Sequence, residues 1–320
     1  MNKTSTIRLA LIGCGEHAET GHAIPLARYQ SEHPDAIALV AACDIRIERA
    51  QRFCQRYGFK ASYSHIDELL SREEIDGCIA VVPPERISET GILLLNRHIP
   101  CVVEKPLGSV LAEVEELAIK AAESGTPNMV SVNRRFMPFL NRALEWAGNA
   151  GSIRYVHCTL ARHARSEREF IWATAVHAVD TLRYIAGEVK KFECRTMMAG
   201  TAAWYAIDLL FQSGVEGRID VLPTVGMVEE TYNLSGEGFH VSVTCPFGGK
   251  RGWVAHRNGA LVTEEWAPAE MPEDLVNGCY QETAAFIRAL SDRSIAKPSI
   301  VDVAPSVQIC MSIANEQMGR

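Results

Sequence analysis

Residues 7–18 join an apolar run to a glycine-rich turn. The run Ile7–Ile12 is followed at once by a Gly-x-Gly-x-x-Ala pattern, Gly13-Cys14-Gly15-Glu16-His17-Ala18. A short apolar run of this kind predicts a strand buried in a parallel sheet. In the dinucleotide-binding fingerprint, the first glycine allows a tight turn, the second lets the backbone approach a pyrophosphate, and the small third residue keeps the next helix close to the sheet. We therefore predict a nucleotide-binding βαβ unit, and a glycine-rich turn without a ligand is the alternative.

The first half of the chain alternates strand-like and helix-like segments. Apolar runs that predict strands recur at residues 7–12, 37–43, 78–82, 101–103 and 129–132. Helix-compatible segments lie between them at residues 18–30, 48–57, 87–96 and 111–124, and Gly58 and Gly125 predict two helix ends. This alternation predicts an N-terminal Rossmann domain of the α/β class, with a doubly wound parallel sheet and right-handed crossovers.

The residues after Gly151 change in character. Alternating runs such as 153–160 and Phe239–Thr244 are separated by turn signals, among them Ser213-Gly214 and Asn258-Gly259. They predict a C-terminal α/β domain with an open, mostly antiparallel sheet, a helix at 173–185 and a last helix at 280–290. A chain of 320 residues favours two domains. We place them at residues 1–127 and 128–320, with a boundary between 125 and 150.

Composition excludes several classes of function. The net charge is −7 and Lys and Arg form no long run, so nucleic acid is not an expected partner. No window approaches the roughly 20 apolar residues of a membrane span, and residues 9–12 are too short a run for a signal sequence before Cys14. We expect a cytoplasmic protein whose cysteines are mainly buried free thiols. Because CxxC and HExxH motifs are absent, we expect no metal site.

Asp44 follows the second predicted strand. A carboxylate at this strand end can accept hydrogen bonds from the ribose hydroxyls of NAD and would repel the 2′-phosphate of NADP. Arg46 could instead meet that phosphate, so we favour NAD and keep NADP as the alternative; Asp44 could also cap a helix. The predicted cofactor-binding residues are Gly13, Cys14, Gly15, Glu16, His17, Asp44, Ile45, Arg46, Val82, Pro83, Glu104 and Lys105.

The order of the motifs resembles that of one enzyme family. The glycine-rich turn and Asp44 are followed by Val82-Pro83-Pro84, Glu104-Lys105-Pro106, Asn133-Arg134-Arg135-Phe136-Met137-Pro138 and His177-Ala178-Val179-Asp180. Over nearly the whole chain, this set resembles the glucose–fructose oxidoreductase / inositol dehydrogenase / MocA (Gfo/Idh/MocA) family. The resemblance implies an NAD(P)-dependent oxidoreductase that transfers a hydride between nicotinamide and a secondary alcohol or ketone of a sugar, cyclitol or related polyol. It also implies a homodimer or tetramer.

The resemblance assigns catalysis to Lys105 and His177. It implies that Lys105 hydrogen-bonds the reacting hydroxyl, that His177 exchanges its proton, and that a cis peptide bond precedes Pro106. Relatives carry an aspartate four residues before this histidine, where this chain has Ala173, and a histidine near Ile87, which this chain lacks. These departures leave two alternatives open: a non-catalytic nucleotide-binding sensor or scaffold, and a lyase or hydrolase that recycles NAD.

Polar residues after the run 153–160 are candidates for substrate contacts. Arginines between residues 162 and 168 could grip a carboxylate or phosphate through two hydrogen bonds, or could belong to a solvated charged loop. Trp172 could offer a sugar ring an apolar platform or could be a core residue. Asp180 is expected to orient His177 or to cap a turn. The predicted substrate-binding residues are Arg135, Arg162, Arg165, Trp172 and Tyr280.

Overall fold

The structure, a computed structural model, describes residues 6–318 and divides into two compact units. The first unit consists of the described residues up to Val132 together with Cys279–Pro305, and the second of Asn133–Gly278 with the residues from Ser306 onward. The first change of unit, between Val132 and Asn133, lies within the boundary region 125–150 predicted from the sequence, whereas Cys279–Pro305, which the sequence analysis placed in the second domain, belong to the first unit. The chain returns to the first unit after Gly278, which no composition change announces.

The first unit is built on a six-stranded parallel sheet. Its strands are β1 (Ile7–Ile12), β2 (Ile37–Cys43), β3 (Ala61–Tyr63), β4 (Gly77–Ala80), β5 (Cys101–Glu104) and β6 (Asn128–Ser131). Their order is β3-β2-β1-β4-β5-β6, and every pairing is parallel. The direction of winding reverses between β1 and β4, the switch point at which such sheets bind ligands beyond the carboxyl ends of the strands. The predicted doubly wound sheet is confirmed.

Helices connect the parallel strands. They are α1 (Glu16–Ala18), a π-helical segment (Glu19–Ala23) and α2 (Ile24–Glu32) in direct succession, then α3 (Ile47–Tyr57), α4 (Ile66–Arg72), α5 (Pro84–Asn96) and α6 (Leu111–Ser124). Gly58 and Gly125 end α3 and α6 with φ angles of 83° and 61°, as predicted. The sequence analysis missed β3 and α4 because elements of three and seven residues are too short for a clear hydrophobic period.

The second unit is built on an eight-stranded sheet. Its strands are β7 (Ile153–Ala161), β8 (Val189–Ala199), β9 (Ala202–Phe211), β10 (Glu216–Leu222), β11 (Glu229–Gly236), β12 (Phe239–Thr244), β13 (Gly252–Arg257) and β14 (Ala260–Trp266). Their order is β14-β13-β12-β11-β7-β10-β9-β8. The pairing of β7 with β10 is parallel and the other described pairings are antiparallel. The predicted mostly antiparallel sheet is confirmed.

Helices cover one face of the second sheet. The covering helices are α7 (Pro138–Ala150) and α9 (Val176–Ala186), and the short helices α8 (Phe170–Ala173) and α10 (Glu273–Val276) contact α9 and α7. α7 packs on β12 and β13, and α9 packs on β7 and β10, so that Cys158, Ile207 and Tyr232 are fully buried. The helix predicted over 173–185 corresponds to α9, which begins only at Val176 because Thr174 leaves helical geometry (φ −121°) after the short helix α8. α7 was not predicted.

Two further helices follow the second sheet in the chain. α11 (Cys279–Asp292) packs on β1 and α2 within the first unit, and Leu290 and Phe286 approach Gly77 so closely that a Cβ there would lie 2.8 and 3.2 Å from them. α12 (Ile300–Met318) contains Pro305 and was not predicted, so the helix expected at 280–290 is not the last one. Within residues 6–318, no helix combines the length and apolarity needed to cross a membrane.

Candidate cofactor site and active site

The glycine-rich turn joins β1 to α1. Gly13 has a φ angle of 89°, and a Cβ at this position would lie 1.9 Å from the carbonyl oxygen of Val81, just after β4. The protein's own backbone therefore requires glycine there. Gly15 is different, because its φ of −86° and ψ of −178° suit any residue and a Cβ would meet no protein atom within 4 Å. The space beside Gly15 is one that a side chain would fill, and it fits the close approach of a pyrophosphate.

Asp44 ties this turn to the end of β2. Its Oδ2 accepts a hydrogen bond from the Cys14 N–H at 2.8 Å, and its Oδ1 accepts one from the Arg46 N–H at 2.8 Å. The helix cap of α3 is Arg46 rather than Asp44. Ile45, between them, is 90% exposed. A carboxylate oxygen has a second lone pair, so both oxygens can still accept from a sugar hydroxyl. The predicted residues of the turn and of the β2 end thus lie together.

The remaining predicted cofactor residues follow β4 and β5. Val82 is half-buried and Pro83 is exposed, directly before α5. Lys105 follows β5, is half-buried, and forms a cis peptide bond with Pro106, which confirms what the resemblance implied. Because the carboxyl ends of parallel strands share one edge, these residues lie on the same edge of the sheet as the glycine-rich turn. Ile87, where relatives have a nearby histidine, is buried in α5.

Glu104, the last residue of β5, is buried and holds two histidines. Its Oε1 lies 2.8 Å from Nε2 of His22 and 3.1 Å from Nε2 of His17, while its Oε2 accepts a hydrogen bond from the Lys105 N–H at 3.2 Å. Burial opposes ionisation of this carboxyl, but the charge and hydrogen bonds of His17, followed by those of His22, hold its pKa well below its usual range. The carboxylate of Glu104, predicted to contact the cofactor, is thus engaged by protein groups.

The sequence analysis missed His22. Residues five apart on an α-helix point about 140° apart, so the spacing of His17 and His22 did not suggest a pair. The π-helical segment Glu19–Ala23 widens the turn between them and brings both rings to one carboxylate. Among the residues that the structure describes, no group of three or more His, Cys, Asp or Glu is arranged to hold a metal ion. The contacts of Glu104 are direct hydrogen bonds.

In the second unit, His177 lies in the first turn of α9 and is buried. Asp180 lies one turn later, where its two carboxylate oxygens accept hydrogen bonds from Arg135, Nη2 at 2.7 Å and Nε at 2.8 Å. The Ser306 hydroxyl donates a third hydrogen bond to Asp180 at 2.9 Å. The structure thus places Asp180 against Arg135 and Ser306, where the sequence had suggested a role in orienting His177. Arg135, a predicted substrate ligand, has its guanidinium committed to Asp180.

Arg162 belongs to a buried ion-pair network. Its Nη2 donates to Glu230 at 2.7 Å, and Arg134 donates to the same carboxylate from Nε at 2.9 Å and from Nη2 at 3.1 Å. Tyr232 donates from its hydroxyl at 2.5 Å. Burial opposes ionisation of Glu230, but Arg134, then Arg162 and Tyr232, lower its pKa to about 2. Arg162 is therefore a buried residue of an ion-pair network rather than part of a solvated charged loop.

Arg165 and Trp172 remain accessible beside α9. The exposed Arg165 donates from Nε to Glu167 at 2.5 Å and from Nη2 to the Thr174 hydroxyl at 3.4 Å, and its guanidinium lies 5.1 Å from the centre of the Phe170 ring. Trp172 is half-buried in α8. The structure therefore places Arg165 in contact with Thr174, which follows Ala173 in the chain.

Tyr280, the last predicted substrate ligand, lies on α11 in the first unit. Its hydroxyl donates to Glu32, and its ring centre lies 6.1 Å from that of Tyr29. The structure thus gives Tyr280 partners on α2, within the unit that carries the glycine-rich turn.

Comparison with known proteins matches the first unit to a family model. The model is described as "Oxidoreductase family, NAD-binding Rossmann fold" and matches residues 7–133. The chain is 27% identical over 312 residues to a 4-carboxy-2-hydroxymuconate-6-semialdehyde dehydrogenase of Sphingobium sp. (strain NBRC 103272 / SYK-6), covering 93% of this chain and 94% of that protein. It is 27% identical to the D-apiose dehydrogenase of Paraburkholderia graminis, covering 66% of this chain and 59% of that protein.

A solved structure shares the fold across the whole chain. It is an oxidoreductase from Agrobacterium radiobacter in complex with NAD+, L-tartaric acid and magnesium. The TM-score is 0.80 at 16% sequence identity, and the match covers 99% of this chain and 98% of that one. The fold of this chain is thus one that a solved oxidoreductase structure also has.

Proposed function

We propose, because residues 7–133 match the model of an NAD-binding oxidoreductase family, that the chain is a Gfo/Idh/MocA oxidoreductase and transfers a hydride between NAD and a secondary alcohol or ketone of a carbohydrate or related polyol. The observation that carries the proposal is the set of groups that lie together at the carboxyl edge of the first sheet. There, an open space beside Gly15, the carboxylate of Asp44 and Lys105 all follow parallel strands.

The residues that would hold NAD are those of the turn and of the β2 end. Backbone N–H groups after Gly15 suit a diphosphate, since the amide groups at a helix start attract anions. Asp44 suits the hydroxyls of the adenosine ribose, and its negative charge disfavours the 2′-phosphate of NADP. The exposed side chain of Ile45 offers apolar contact to the adenine. Bound NAD supplies the hydride acceptor, and the protein supplies orientation and charge.

Lys105 and His177 are the proposed catalytic residues. Oxidation of an alcohol removes a hydride from carbon and a proton from oxygen. The ammonium group of Lys105 would stabilise the developing negative charge on that oxygen, and His177 would accept the proton. The paired hydrogen bonds between Arg135 and Asp180, which lies on α9, would keep this helix in place.

A second substrate class is a carbohydrate or hydroxy acid that carries a carboxylate. Ala173 removes the acid that relatives place near His177, and the cationic Arg165 lies beside this position on Thr174. A substrate carboxylate would find a cation there and no competing acid at residue 173. The relative that matches over 93% of this chain acts, by its name, on a carboxylated compound, whereas the D-apiose dehydrogenase is named for a neutral sugar.

The test is a panel of sugars, cyclitols and sugar acids with NAD, followed through NADH absorbance. Once a substrate is found, Lys105→Ala should lower the rate by about 10²–10⁴-fold while NAD affinity changes little. His177→Ala should lower it by a similar or smaller factor, and Lys60→Ala, an exposed lysine of the same unit, serves as the control.

Turnover of Lys105→Ala close to that of the wild type would refute this mechanism. Consumption of a substrate without net NADH formation, by protein that retains its cofactor through purification, would instead indicate a lyase or hydrolase that recycles NAD.

A further inference from the structure

Three ionisable side chains meet between the glycine-rich turn and Lys105. Glu104 and His22 are buried, with side chains 5% and 3% exposed, whereas the His17 side chain is 60% exposed. Both imidazoles present Nε2 to the same oxygen, Oε1 of Glu104, and the two rings lie edge to face with their centres 6.4 Å apart. The other oxygen of Glu104 accepts from the Lys105 N–H. One buried carboxylate thus links the turn to the lysine segment.

The contacts fix the orientation of the His17 ring. An ionised carboxylate can accept hydrogen bonds but cannot donate them. The Nε2 of His17 therefore carries the hydrogen that faces Glu104. The ring lies against Gly21 in the π-helical segment, with Cε1 3.8 Å from the position of a Cβ there. An ionised carboxylate in contact with an imidazole favours the protonated, cationic form of that imidazole. The ionisable neighbours of His17 include Glu104 from β5, His22 from the π-helical segment, and the exposed Glu16 before it in the chain.

His17 stands in the first helical turn after Gly15. Gly15 borders the space that no protein atom fills, and the N–H groups of the first turn make this helix start attractive to anions. A cation at residue 17 would act on the same anion as those N–H groups. Because His17 is exposed while its anchor is buried, its position is fixed by the protein and its surface is left accessible to a ligand.

We propose that His17 binds the diphosphate of the dinucleotide, and that Glu104 is the positioning residue that holds His17 in place, with His22 fixing Glu104. The inference rests on the NAD binding of the proposed function. It assigns a purpose to the buried carboxylate of the Glu-Lys-Pro segment. Through Oε1, Glu104 holds the histidine that binds the diphosphate, and through Oε2 it accepts a hydrogen bond from the backbone of the proposed catalytic lysine.

The test compares ligands that contain or lack the diphosphate. In the full-length protein, His17→Gln keeps a donor for Glu104 but removes the positive charge. We expect about tenfold weaker binding of NAD and of ADP-ribose, as for the loss of a charged hydrogen bond, with binding of adenosine unchanged. His17→Arg, which restores a cation, should recover most of the affinity. His33→Gln, an exposed histidine at the end of α2, is the matched control and should bind all three ligands like the wild type.

Glu104→Gln tests the positioning role. This variant should bind NAD and ADP-ribose more weakly than the wild type and adenosine equally well. Its melting temperature reports separately on folding. Unchanged ADP-ribose affinity in His17→Gln, or an equal loss for adenosine, would overturn the proposal, and so would failure of His17→Arg to recover affinity. If the wild-type protein bound neither NAD nor ADP-ribose, the proposed function itself would fail, which is a different result from a selective change at His17.

Discussion

The two glycines of the turn should respond in opposite ways to the same substitution. Gly15→Ala places a methyl group where no protein atom lies within 4 Å, at backbone angles that alanine adopts freely. The smaller entropy of the unfolded chain favours alanine by about 0.4–1 kcal/mol, and loss of glycine at the helix start costs a similar amount. The free energy of unfolding should therefore change by less than about 1 kcal/mol. Binding of NAD should nevertheless weaken at least tenfold, because the methyl group occupies the space proposed for the pyrophosphate.

Gly13→Ala is the matched control. At φ 89° an alanine costs about 1–2 kcal/mol, and its Cβ would overlap the Val81 carbonyl oxygen at 1.9 Å, which adds about 1–3 kcal/mol as the strands shift apart. A total of about 2–5 kcal/mol should lower the melting temperature by about 5–15 °C.

Differential scanning fluorimetry of both variants, with and without saturating NAD, measures the two effects. The wild-type melting temperature should rise with NAD, and that of Gly15→Ala should start near the wild-type value but rise much less. If Gly15→Ala melted as early as Gly13→Ala, the space beside Gly15 would belong to the fold rather than to a ligand. If Gly15→Ala bound NAD with wild-type affinity, the pyrophosphate would lie elsewhere.

Three further outcomes are expected. Titration with both cofactors should show tighter binding of NAD because of Asp44, and a tenfold preference for NADP, about 1.4 kcal/mol, would mean that Arg46 meets the 2′-phosphate. The pKa of Glu230 falls from 4.5 to about 2 in the folded state. Its ionisation should therefore contribute about 3 kcal/mol to the free energy of unfolding above pH 4.5, and this contribution is lost as the pH falls towards 2. The melting temperature of Glu230→Gln should depend less on pH in that range, and a dependence equal to that of the wild type would contradict the assignment. Because Met197 and Met198 are exposed on the edge strand β8, light scattering at micromolar concentration should show a dimer or tetramer, and a 35.2 kDa monomer would refute this.

The elements that the sequence predicted best carry an uninterrupted hydrophobic period. β1 and β2 have the bounds predicted from their apolar runs, because a strand buried on both faces needs apolar residues throughout. α6 also has its predicted bounds. α7 and α12 were missed, and because α7 packs on β12 and β13, part of the helix layer on the second sheet was not predicted. α12 contains Pro305, and a proline ordinarily interrupts a helical pattern, so the sequence gives no clear signal for this helix.

The candidate site was predictable where backbone geometry follows from local sequence. Gly13 and Asp44 lie where the strand-turn-helix pattern placed them, since both depend on chain neighbours and on adjacent parallel strands. The partners of long polar side chains were not predictable. Arg162 lies in a charged loop sequence but folds inward to Glu230, 68 residues away along the chain, and only the pairing of β7 with β11 brings the two together.

The return of the chain to the first unit bears on how the protein is made. β1 and β4 leave the ribosome early, but Phe286 and Leu290, which pack against Gly77, come after the entire second sheet. At roughly 5–20 residues per second, translation of residues 133–278 takes roughly 7–30 s. Throughout this interval the nascent first sheet lacks its covering helix α11, and its apolar surface is open to chaperones or to other nascent chains. A messenger truncated before residue 279 would therefore yield a nucleotide-binding half that is permanently in this exposed state.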